Sequence, residues 1–405
     1  MSSFVFDSSN LPDEICFDVP YSKSISNRLL VIKYFLEKKG MTLELKNLSD
    51  SEDTQIISSA LQTTNITKQA TFDCKNSATA LRFLLAVLTI TNGNWTLTAD
   101  KRMEDRQIKP LIEILNSIGA KIVHCDRCLF PLYIKGQAFL EDKNNMLHLS
   151  SQYSSQIISA LLLIKDYIKG FDLSFSTHQS SLPYIKMTQY LIKYPQTLIE
   201  KDWSAASFAY CLIGLRKKGL VVIPNLRRSS LQGDSICEIL FRNFGIETKF
   251  TSKNAVLSYN SDIKKKDKVE IDVQNCSDLF LPLIVTAAFS QQTTVFYNTN
   301  NLKYKESDRI NSAITLLSSF GIKIECSENS ITVYQQQHYK PVNIPFIKTF
   351  NDHRVAMSFA MLSFIYNKVE IENPDCVKKS FPKFWNNFEE INNLNSISNS
   401  LQKHK

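Results

Sequence analysis

The stretch LIEILNSIGAKIV, residues 111–123, joins an amphipathic run to a short alternating run through a single glycine. Its first eight residues carry apolar side chains at helical spacing, and the residues after Gly119 alternate as in a strand. A glycine just past a helix end adopts the left-handed conformation at little cost. The same order recurs at 236–250 and at 313–325. Three copies of one helix–glycine–strand pattern predict an α/β protein built from repeats.

Six further helix-like runs are apolar on nearly every side, which is typical of buried helices. They lie at 25–38, 78–91, 154–168, 204–217, 278–290 and 352–365. Each is followed by a β-rich run, at 41–45, 95–99, 171–175, 220–224, 293–297 and 369–373. Six such units shared between two bundles of buried helices predict two domains of three units each.

Glycine is scarce, with only 10 among 405 residues, about 2.5% against a usual share of about 7%. The chain contains no GxGxxG or GxxxxGK[ST] motif, so a function that rests on a glycine-rich phosphate loop is disfavoured. Seven of the ten glycines follow a helix-like run and precede a strand-like one. These are Gly40, Gly93, Gly119, Gly170, Gly219, Gly245 and Gly321.

The composition is that of a folded protein, with 43% hydrophobic residues and a modest net charge of +8. The Lys and Arg residues are scattered, so we expect no nucleic-acid partner. The longest apolar stretch, 83–90, is too short for a membrane helix, and no signal peptide is recognisable. Nine cysteines, an odd number, indicate reduced thiols in a cytoplasmic protein. The Asn- and Ser-rich stretch after Ile391 is expected to be a frayed end.

The polar residues of the apolar helices gather at the helix N-termini, and several of them are cations. Capping explains one Ser, Thr, Asp or Asn at each start, but a cation is disfavoured at the positive end of a helix dipole. A bound anion would account for these cations, because backbone N–H groups, the dipole and guanidinium groups all favour negative charge. The cations are Lys23, Arg28, Arg82 and Arg354. In KESDR, residues 305–309, a helix would place Lys305 and Arg309 on one face.

Together these residues resemble one family. The motifs PYSKSISNR (20–28), NSATALR (76–82), SSQ (154–156), SLPYI (181–185), EKDWSAAS (200–207), QGD (232–234), YKESDR (304–309), NDHR (351–354) and KKSFP (378–382) stand in this order. The chain is similar in these motifs to the 5-enolpyruvylshikimate-3-phosphate synthases. A single short motif such as QGD or SSQ is weak evidence for the family. KSxSNR, KExDR and NDHR occurring in this order are specific to it.

The resemblance implies an α/β fold described as a two-domain inside-out α/β barrel, the enolpyruvyl transferase fold. Each domain has three βαβαββ units. It further implies that residues 21–199 form the N-terminal domain and that residues 1–20 plus 200–405 form the C-terminal domain. The family's active site lies in the cleft between the domains.

The implied reaction transfers the enolpyruvyl group of phosphoenolpyruvate to the 5-hydroxyl of shikimate 3-phosphate and releases phosphate, a step of aromatic amino acid biosynthesis. Asp278 and Glu306 match the two catalytic carboxylates, with Lys23 as the third catalytic residue. We assign Asp278 to the 5-hydroxyl proton and Glu306 to proton transfer at C3. Neither a metal nor an organic cofactor is implied, and we expect a monomer with only these small-molecule substrates as partners.

The motif matches imply two sets of binding residues. For shikimate 3-phosphate they are Lys23, Ser24, Arg28, Ser154, Ser155, Gln156, Ser181, Asp278, Asn301 and Lys305. For phosphoenolpyruvate they are Lys23, Ala78, Arg106, Gln156, Arg309, Arg354 and Lys379. Asp202 and Asp352 resemble supporting polar residues.

The chain departs from the family pattern at Ala78, where the family usually has glycine; Tyr21 and Phe83 also differ. A methyl group at Ala78 would shrink the phosphoenolpyruvate pocket, so we expect low sensitivity to the longer inhibitor glyphosate. Two alternatives stay open. One is the related enolpyruvyl transferase that acts on UDP-N-acetylglucosamine, and the other is a nucleic-acid-end-processing protein of similar fold.

Overall fold

The structure is a computed structural model that describes residues 3–125, 128–137, 145–176, 179–264, 266–335 and 344–388. The chain divides into two compact units. Tyr21–Ile199 forms the N-terminal unit, and Met1–Pro20 with Glu200–Lys405 forms the C-terminal unit. The predicted frayed end after Ile391 lies outside the described residues.

Helices and strands are interspersed along the described chain. The α-helices are α1 Lys23–Lys38, α2 Glu52–Ile66, α3 Ala78–Thr89, α4 Lys109–Ser117, α5 Ser155–Ile164, α6 Leu182–Lys193, α7 Trp203–Arg216, α8 Cys237–Arg242, α9 Phe280–Ala288, α10 Arg309–Ser319, α11 His353–Ala360 and α12 Ser363–Tyr366. The strands are β1 Ser3–Asp7, β2 Glu14–Cys16, β3 Gln69–Asp73, β4 Gly93–Thr98, β5 Lys121–His124, β6 Leu132–Gly136, β7 Asn145–Leu149, β8 Phe171–Phe175, β9 Leu220–Pro224, β10 Ile246–Phe250, β11 Asn254–Tyr259, β12 Lys268–Asp272, β13 Thr293–Tyr297, β14 Ile324–Cys326, β15 Ser330–Val333, β16 Phe346–Ile347 and β17 Lys368–Glu372.

A complete repeat lies in the middle of the N-terminal unit. Its elements follow as β3, α3, β4, α4, β5 and β6, and the strand order in its sheet is β3-β4-β6-β5. β3 and β4 pair in parallel, which requires a crossover such as α3, and the other two pairs are antiparallel. This is one βαβαββ unit.

The C-terminal unit contains two sheets of the same plan, β12-β13-β15-β14 and β2-β9-β11-β10. The second sheet takes β2 from the start of the chain, where Ile15 lies opposite Val221 in a parallel pair. β1 likewise pairs with β17 near the other end of the chain. The first twenty residues therefore fold with the second half of the chain.

The other helix–strand units are reduced. β7 pairs with β8 across α5, and β16 pairs with β17 across α11, both in parallel. The prediction of a strand at 41–45 was wrong: the segment is not a strand, and Lys46 makes an isolated bridge with Leu198. Only Leu43 is buried within it, and β propensity without a packed partner strand does not hold a strand.

The apolar helices are buried, as predicted. All of α9 is buried, and so is every residue of α7 except Arg216. In the C-terminal unit one cluster of buried apolar residues joins α7, α9 and α11 to strands of all three sheets. Burying each Leu, Ile or Phe side chain contributes about 1.5–3 kcal/mol to the free energy of folding. The helices therefore form the interior of the unit, and the sheets pack on them.

One helix differs from its predicted length. The run 352–365 is not continuous, because α11 ends at Ala360 and α12 starts at Ser363. Between them the amides of Met361 and Leu362 bond three residues back, to Ser358 and Phe359. These tighter turns interrupt the four-residue ladder of an α-helix.

The longest helix in the described ranges is α1, with 16 residues. An α-helix needs about 20 apolar residues to cross a bilayer. Within the described ranges, no helix has both the length and the apolar character to do so.

The seven joint glycines all have positive φ, although Gly93 begins a strand and does not cap a helix. Gly219 shows the strictest requirement: at φ +78° a Cβ would lie 2.2 Å from the carbonyl oxygen of Asp13. Gly321 has nearly the same backbone, φ +75°, with no atom within 4 Å of its Cβ position. The two positions therefore separate backbone strain from steric clash.

We predict that Gly219→Ala destabilises the C-terminal unit more than Gly321→Ala. Gly321→Ala should cost about 1–2 kcal/mol for the left-handed backbone alone, and Gly219→Ala about 1–3 kcal/mol more because the methyl group overpacks. Urea unfolding midpoints would measure both. Equal shifts in the two variants would contradict the steric account.

Candidate active site

Arg309 is the centre of a buried charge cluster in the C-terminal unit. It is the first residue of α10, whose N-cap Asp308 accepts from the amide of Asn311 at 3.1 Å. Its side chain is 1% exposed and pairs with three carboxylates. Nη1 lies 2.9 Å from Asp278 Oδ1, Nη2 lies 2.8 Å from Glu306 Oε2, and Nε lies 3.0 Å from Asp352 Oδ2.

Three further cations contact the same carboxylates. Arg354 Nη2 lies 3.0 Å from Asp278 Oδ2, and its Nη1 donates to the Asp278 carbonyl at 3.3 Å. Lys379 Nζ lies 3.0 Å from Glu306 Oε1, and Lys305 Nζ lies 3.6 Å from Asp278 Oδ1. Four cations thus meet three carboxylates. We call this set the Arg309 cluster: Asp278, Lys305, Glu306, Arg309, Asp352, Arg354 and Lys379.

Asp352 shapes the cluster as well as balancing its charge. Its Oδ1 accepts from the amide of Arg354 at 2.9 Å and so caps α11. Its Oδ2 accepts from the amide of Ser307 at 3.2 Å and from the Ser307 hydroxyl at 3.0 Å. The carboxylate is 0% exposed, and such burial is tolerated because every bond comes from a donor. One side chain therefore fixes the start of α11 and the segment before α10.

The cluster sets the pKa values of its acids. Burial alone would raise the pKa of Asp278, but Arg354, Lys305 and Arg309 outweigh burial and hold it well below its ordinary value. For Asp352, burial is likewise outweighed by Arg309, and the pKa is lowered. Both carboxyls are therefore charged at neutral pH.

Asp234, of the QGD motif, is close enough to this cluster to interact electrostatically with Asp278 and Arg354. It is buried and accepts a hydrogen bond from the Ser204 hydroxyl. Burial and the negative charge of Asp278 raise its pKa to about 6. The sequence reasoning assigned no role to Asp234, although its place in a matched motif was a signal that could have drawn attention to it.

KESDR does not form one helix, so Lys305 and Arg309 do not share a helical face. Asp308 caps α10 at Arg309, so Lys305 precedes the helix in an extended conformation. The two cations nevertheless meet, because both reach Asp278. Lys305 also donates to the Ser277 hydroxyl at 2.9 Å.

In the N-terminal unit, Lys23 begins α1 and pairs with Asp53 of α2. The Nζ–Oδ2 distance is 3.0 Å, and the Asp53 side chain is 2% exposed. Ser22 caps α1, and Ser24 follows Lys23 in its first turn. The sequence reasoning missed Asp53, because an acid in the first turn of a helix has an ordinary explanation in the helix dipole.

Arg28 lies one turn further along α1 and is almost wholly buried. Its Nε donates to Thr188 Oγ1 at 2.6 Å, and its Nη2 donates to Ser159 Oγ at 3.1 Å. Two carbonyl oxygens, of Tyr184 and Ser24, accept further bonds at 3.3 and 2.8 Å. Burial lowers its pKa to about 10. The described contacts use four of its five N–H groups, so internal packing accounts for much of this cation.

Arg82 connects two predicted binding residues in the same unit. It donates to the Gln156 side-chain oxygen and to the carbonyl oxygen of Arg106. Gln156 in turn donates to Thr79 Oγ1 at 3.0 Å. Ala78 starts α3 behind its cap Ser77 and is 3% exposed. The starts of α3 and α5 are therefore joined by one hydrogen-bond chain.

The remaining predicted residues also lie at or near the starts of helical segments. Ser154 caps α5 by accepting from the Gln156 amide at 3.3 Å, and Ser155 is the first residue of that helix. Ser181 precedes α6 with a left-handed backbone, φ 58°. Asn301 lies in a 3-10 helix, Asn300–Tyr304, with a buried Oδ1 that has no hydrogen-bond partner among the described residues. Asp202 caps α7 by accepting from the Ala205 amide at 2.8 Å.

The described residues include no group of three or more His, Cys, Asp or Glu side chains with the geometry to hold a metal ion. What they provide is two sets of cations held by acids, hydroxyls and carbonyl oxygens. Such preorganised donors bind anions and stabilise negative charge that develops during a reaction.

Asp234 gives a pH-dependent prediction. Its ordinary pKa is 3.8 and its folded value is about 6, so folding favours the protonated form. The folded state is therefore progressively penalised as pH rises from about 4 to about 6, and the whole penalty persists above that range. Asp234→Asn removes it and should stabilise the protein at pH 7 by about 1–3 kcal/mol. The advantage should vanish by about pH 4.

Urea unfolding at both pH values measures this effect. The exposed residue Asp267 provides the matched control, and Asp267→Asn should change stability little. An Asp234→Asn protein less stable than the parent at pH 7 would contradict the assignment.

Comparison with known proteins gives one family. A profile described as EPSP synthase (3-phosphoshikimate 1-carboxyvinyltransferase) matches residues 39–196 and 192–388. A 3-phosphoshikimate 1-carboxyvinyltransferase of Bacteroides fragilis is 34% identical over 393 residues, covering 91% of this chain and 93% of the relative. One of Buchnera aphidicola is 29% identical over 437 residues, covering 95% and 96%.

A solved EPSP synthase structure from Acinetobacter baumannii superposes with a TM-score of 0.67 at 18% identity, covering 96% of this chain and 98% of that one. This likeness establishes the fold and confirms the predicted two-domain α/β class. With most of its length matched by the family profile and by a relative above 30% identity, the chain belongs to the EPSP synthase family, the 3-phosphoshikimate 1-carboxyvinyltransferases.

Proposed function

We propose that this protein transfers the enolpyruvyl group of phosphoenolpyruvate to the 5-hydroxyl of shikimate 3-phosphate. The hydroxyl oxygen bonds to C2 of phosphoenolpyruvate while C3 gains a proton. The tetrahedral intermediate then loses phosphate and the C3 proton, leaving the enolpyruvyl ether. The observation that carries the proposal is the Arg309 cluster, which combines anion-binding cations with carboxylates in one place, in a chain of this family.

In this proposal Asp278 accepts the 5-hydroxyl proton. Its low pKa in the free protein depends on Arg354, Lys305 and Arg309. Both substrates are multiply charged anions, and their binding to these cations would weaken the cations' hold on Asp278. The pKa of Asp278 would then rise, and the carboxylate would become a stronger base at the moment the hydroxyl is present.

Glu306 is proposed to transfer the proton at C3 of phosphoenolpyruvate. It lies between two cations, with Arg309 at 2.8 Å and Lys379 at 3.0 Å. Because Arg309 and Lys379 contact the same carboxylate, they would be close enough to each other to bind one phosphate or carboxylate group of the substrate. Arg309, Arg354 and Lys379 are therefore assigned to phosphoenolpyruvate, and Lys305 with Asn301 to shikimate 3-phosphate.

The N-terminal unit is proposed to supply the other binding residues. Lys23 would bind both substrates and act in catalysis, with Asp53 holding its ammonium group. Gln156 and Arg106 are held together through Arg82 and are assigned to phosphoenolpyruvate, with Gln156 also binding shikimate 3-phosphate. Ser24, Arg28, Ser154, Ser155 and Ser181 complete the shikimate 3-phosphate set. Arg28 has at most one N–H group left for substrate by the described contacts.

Enzyme cations can stabilise the developing negative charge without a metal or an organic cofactor, and we propose that none is used. We also propose a monomer. A cytoplasmic location remains our proposal, supported by the odd number of nine cysteines.

The reaction predicts a specific effect of Asp278→Ala. Phosphate release should occur only when shikimate 3-phosphate and phosphoenolpyruvate are both present, and the variant should lower kcat by about 10²–10⁴-fold because the general base is lost. The exposed variant Asp267→Ala removes a carboxylate elsewhere in the same unit and should leave kcat near the parent value. Phosphate release by Asp278→Ala at the parent rate would refute the assigned role.

Ala78 predicts the inhibitor response. Its methyl group stands at the start of α3, where the family usually has glycine, and we propose that it narrows the space for glyphosate more than for phosphoenolpyruvate. Ala78→Gly should lower the inhibition constant of glyphosate at least about tenfold, or roughly 1.4 kcal/mol, with a smaller change in KM for phosphoenolpyruvate. A parent enzyme already as sensitive as Ala78→Gly would contradict this proposal.

A further inference from the structure

The outer face of the sheet β3-β4-β6-β5 carries a shallow groove of about 930 Å³. The inner face is covered, since Trp95, Leu97 and Ile134 are buried. Successive side chains of a strand point to opposite faces of the sheet. The outer face therefore exposes Lys121, Val123, Tyr133 and Lys135. We call this the basic groove; its working residues are Asn94, Thr96, Lys121, Val123, Tyr133 and Lys135.

Two lysines in the basic groove face each other directly. Lys121 of β5 and Lys135 of β6 are register partners in an antiparallel pair. Directly opposite side chains have Cβ atoms about 5 Å apart, and like charges in this arrangement are destabilising. Among the described residues, no Asp or Glu lines the groove or pairs with either ammonium group. A lysine on an edge strand can serve to prevent aggregation, but β6 is an inner strand of the sheet.

The two sheets of the same plan in the C-terminal unit lack this arrangement. In β12-β13-β15-β14, Lys268 lies 2.7 Å from Glu270, and Lys323 lies 3.5 Å from Glu325. In β2-β9-β11-β10, Lys249 stands opposite Val256. The repeated fold therefore does not require a lysine pair on this face, and of these three sheets only β3-β4-β6-β5 has two lysines directly opposite each other.

The neighbouring row of the groove is apolar. Val123 is 63% exposed and Tyr133 is 53% exposed, and they are register partners one step along from the lysines. Thr96 lies opposite Tyr133, and Asn94 lies opposite Lys135. A ligand bound here would therefore need an anionic group, such as a carboxylate, over the lysines and an apolar group over Val123 and Tyr133. The two groups would lie about 7 Å apart, the length of two strand residues.

We propose that the basic groove is a docking surface for an acidic polypeptide segment of a partner protein. The segment places carboxylates over Lys121 and Lys135 and an apolar side chain over Val123 and Tyr133. A second copy of this chain fits poorly, because a two-fold contact through the groove would set the lysines against themselves. A nucleic acid fits less well, since its binding draws on several phosphate contacts and the groove has two cations. This inference does not depend on the proposed reaction.

The test uses a short fluorescent peptide of repeated Glu-Ser-Leu-Ser, the Glu–Leu peptide, which places Glu and Leu two residues apart on one face of an extended chain. A Lys–Leu peptide of the same spacing, inorganic phosphate and a DNA duplex are the comparison probes. Fluorescence anisotropy should show binding of the Glu–Leu peptide that weakens as salt rises. The double variant Lys121→Glu, Lys135→Glu should weaken it at least tenfold. The matched control Lys249→Glu, Lys253→Glu makes the same charge change at two exposed lysines of a sister sheet, Lys249 in β10 and Lys253 in the turn before β11, and should bind like the parent. Circular dichroism should show that both variants are folded.

A second variant pair keeps the test decisive if charge reversal harms folding. The double variant Lys121→Gln, Lys135→Gln removes the repulsion between the two lysines. It should therefore raise thermal stability while weakening binding of the Glu–Leu peptide. Four results would overturn the proposal: no binding of the Glu–Leu peptide, equal binding by the parent and the groove variant, displacement of the peptide by phosphate at equal concentration, or tighter binding of the duplex. The last two would indicate a small-anion site or a nucleic-acid surface instead.

Discussion

Arg309 is the constraint on which the C-terminal site depends. A guanidinium that is 1% exposed needs partners that offset its loss of hydration, and Arg309 has three carboxylates, reaching Asp278, Glu306 and Asp352 through three different nitrogens. Those acids in turn hold Arg354 and Lys379. Removing one member would leave an unpaired buried charge, so the cluster is a unit in which binding cations and reacting carboxylates fix one another.

The fold explains why such a unit can form. In the complete repeats of α3 and α9, a buried helix lies between two parallel strands, and the charged residue nearest that helix stands at its start: Arg82 within the first five residues of α3, and Asp278 just before α9. Asp278 precedes α9, Asp352 caps α11, and Arg309 begins α10. Three helix starts in one unit thus supply the cluster. A protein with only ten glycines can in this way gather groups for phosphate without a glycine-rich loop.

What the sequence predicted follows from local physics. The buried helices and the glycine joints depend on hydrophobic spacing and backbone conformation. The helices are buried and all seven glycines have positive φ, although no strand follows Gly40 and Gly93 does not cap a helix. What it missed depends on distant partners. A strand at 41–45 needs a neighbour that the fold does not provide there, and the internal role of Arg28 depends on Thr188, 160 residues away. Asp53 was missed as the partner of Lys23 because an acid in the first turn of a helix already has an ordinary explanation. The motif matches identified the residues of the Arg309 cluster, but which atoms meet within it required the structure.

The central claim is that this chain forms a bond between C2 of phosphoenolpyruvate and the 5-hydroxyl oxygen of shikimate 3-phosphate. The most direct measurement is mass spectrometry and carbon NMR of the product made from phosphoenolpyruvate labelled with ¹³C at C2. The account predicts a labelled enolpyruvyl ether of shikimate 3-phosphate, formed in equal amount to the phosphate released. Absence of that ether when both substrates are present, or transfer of the label to UDP-N-acetylglucosamine instead, would contradict it.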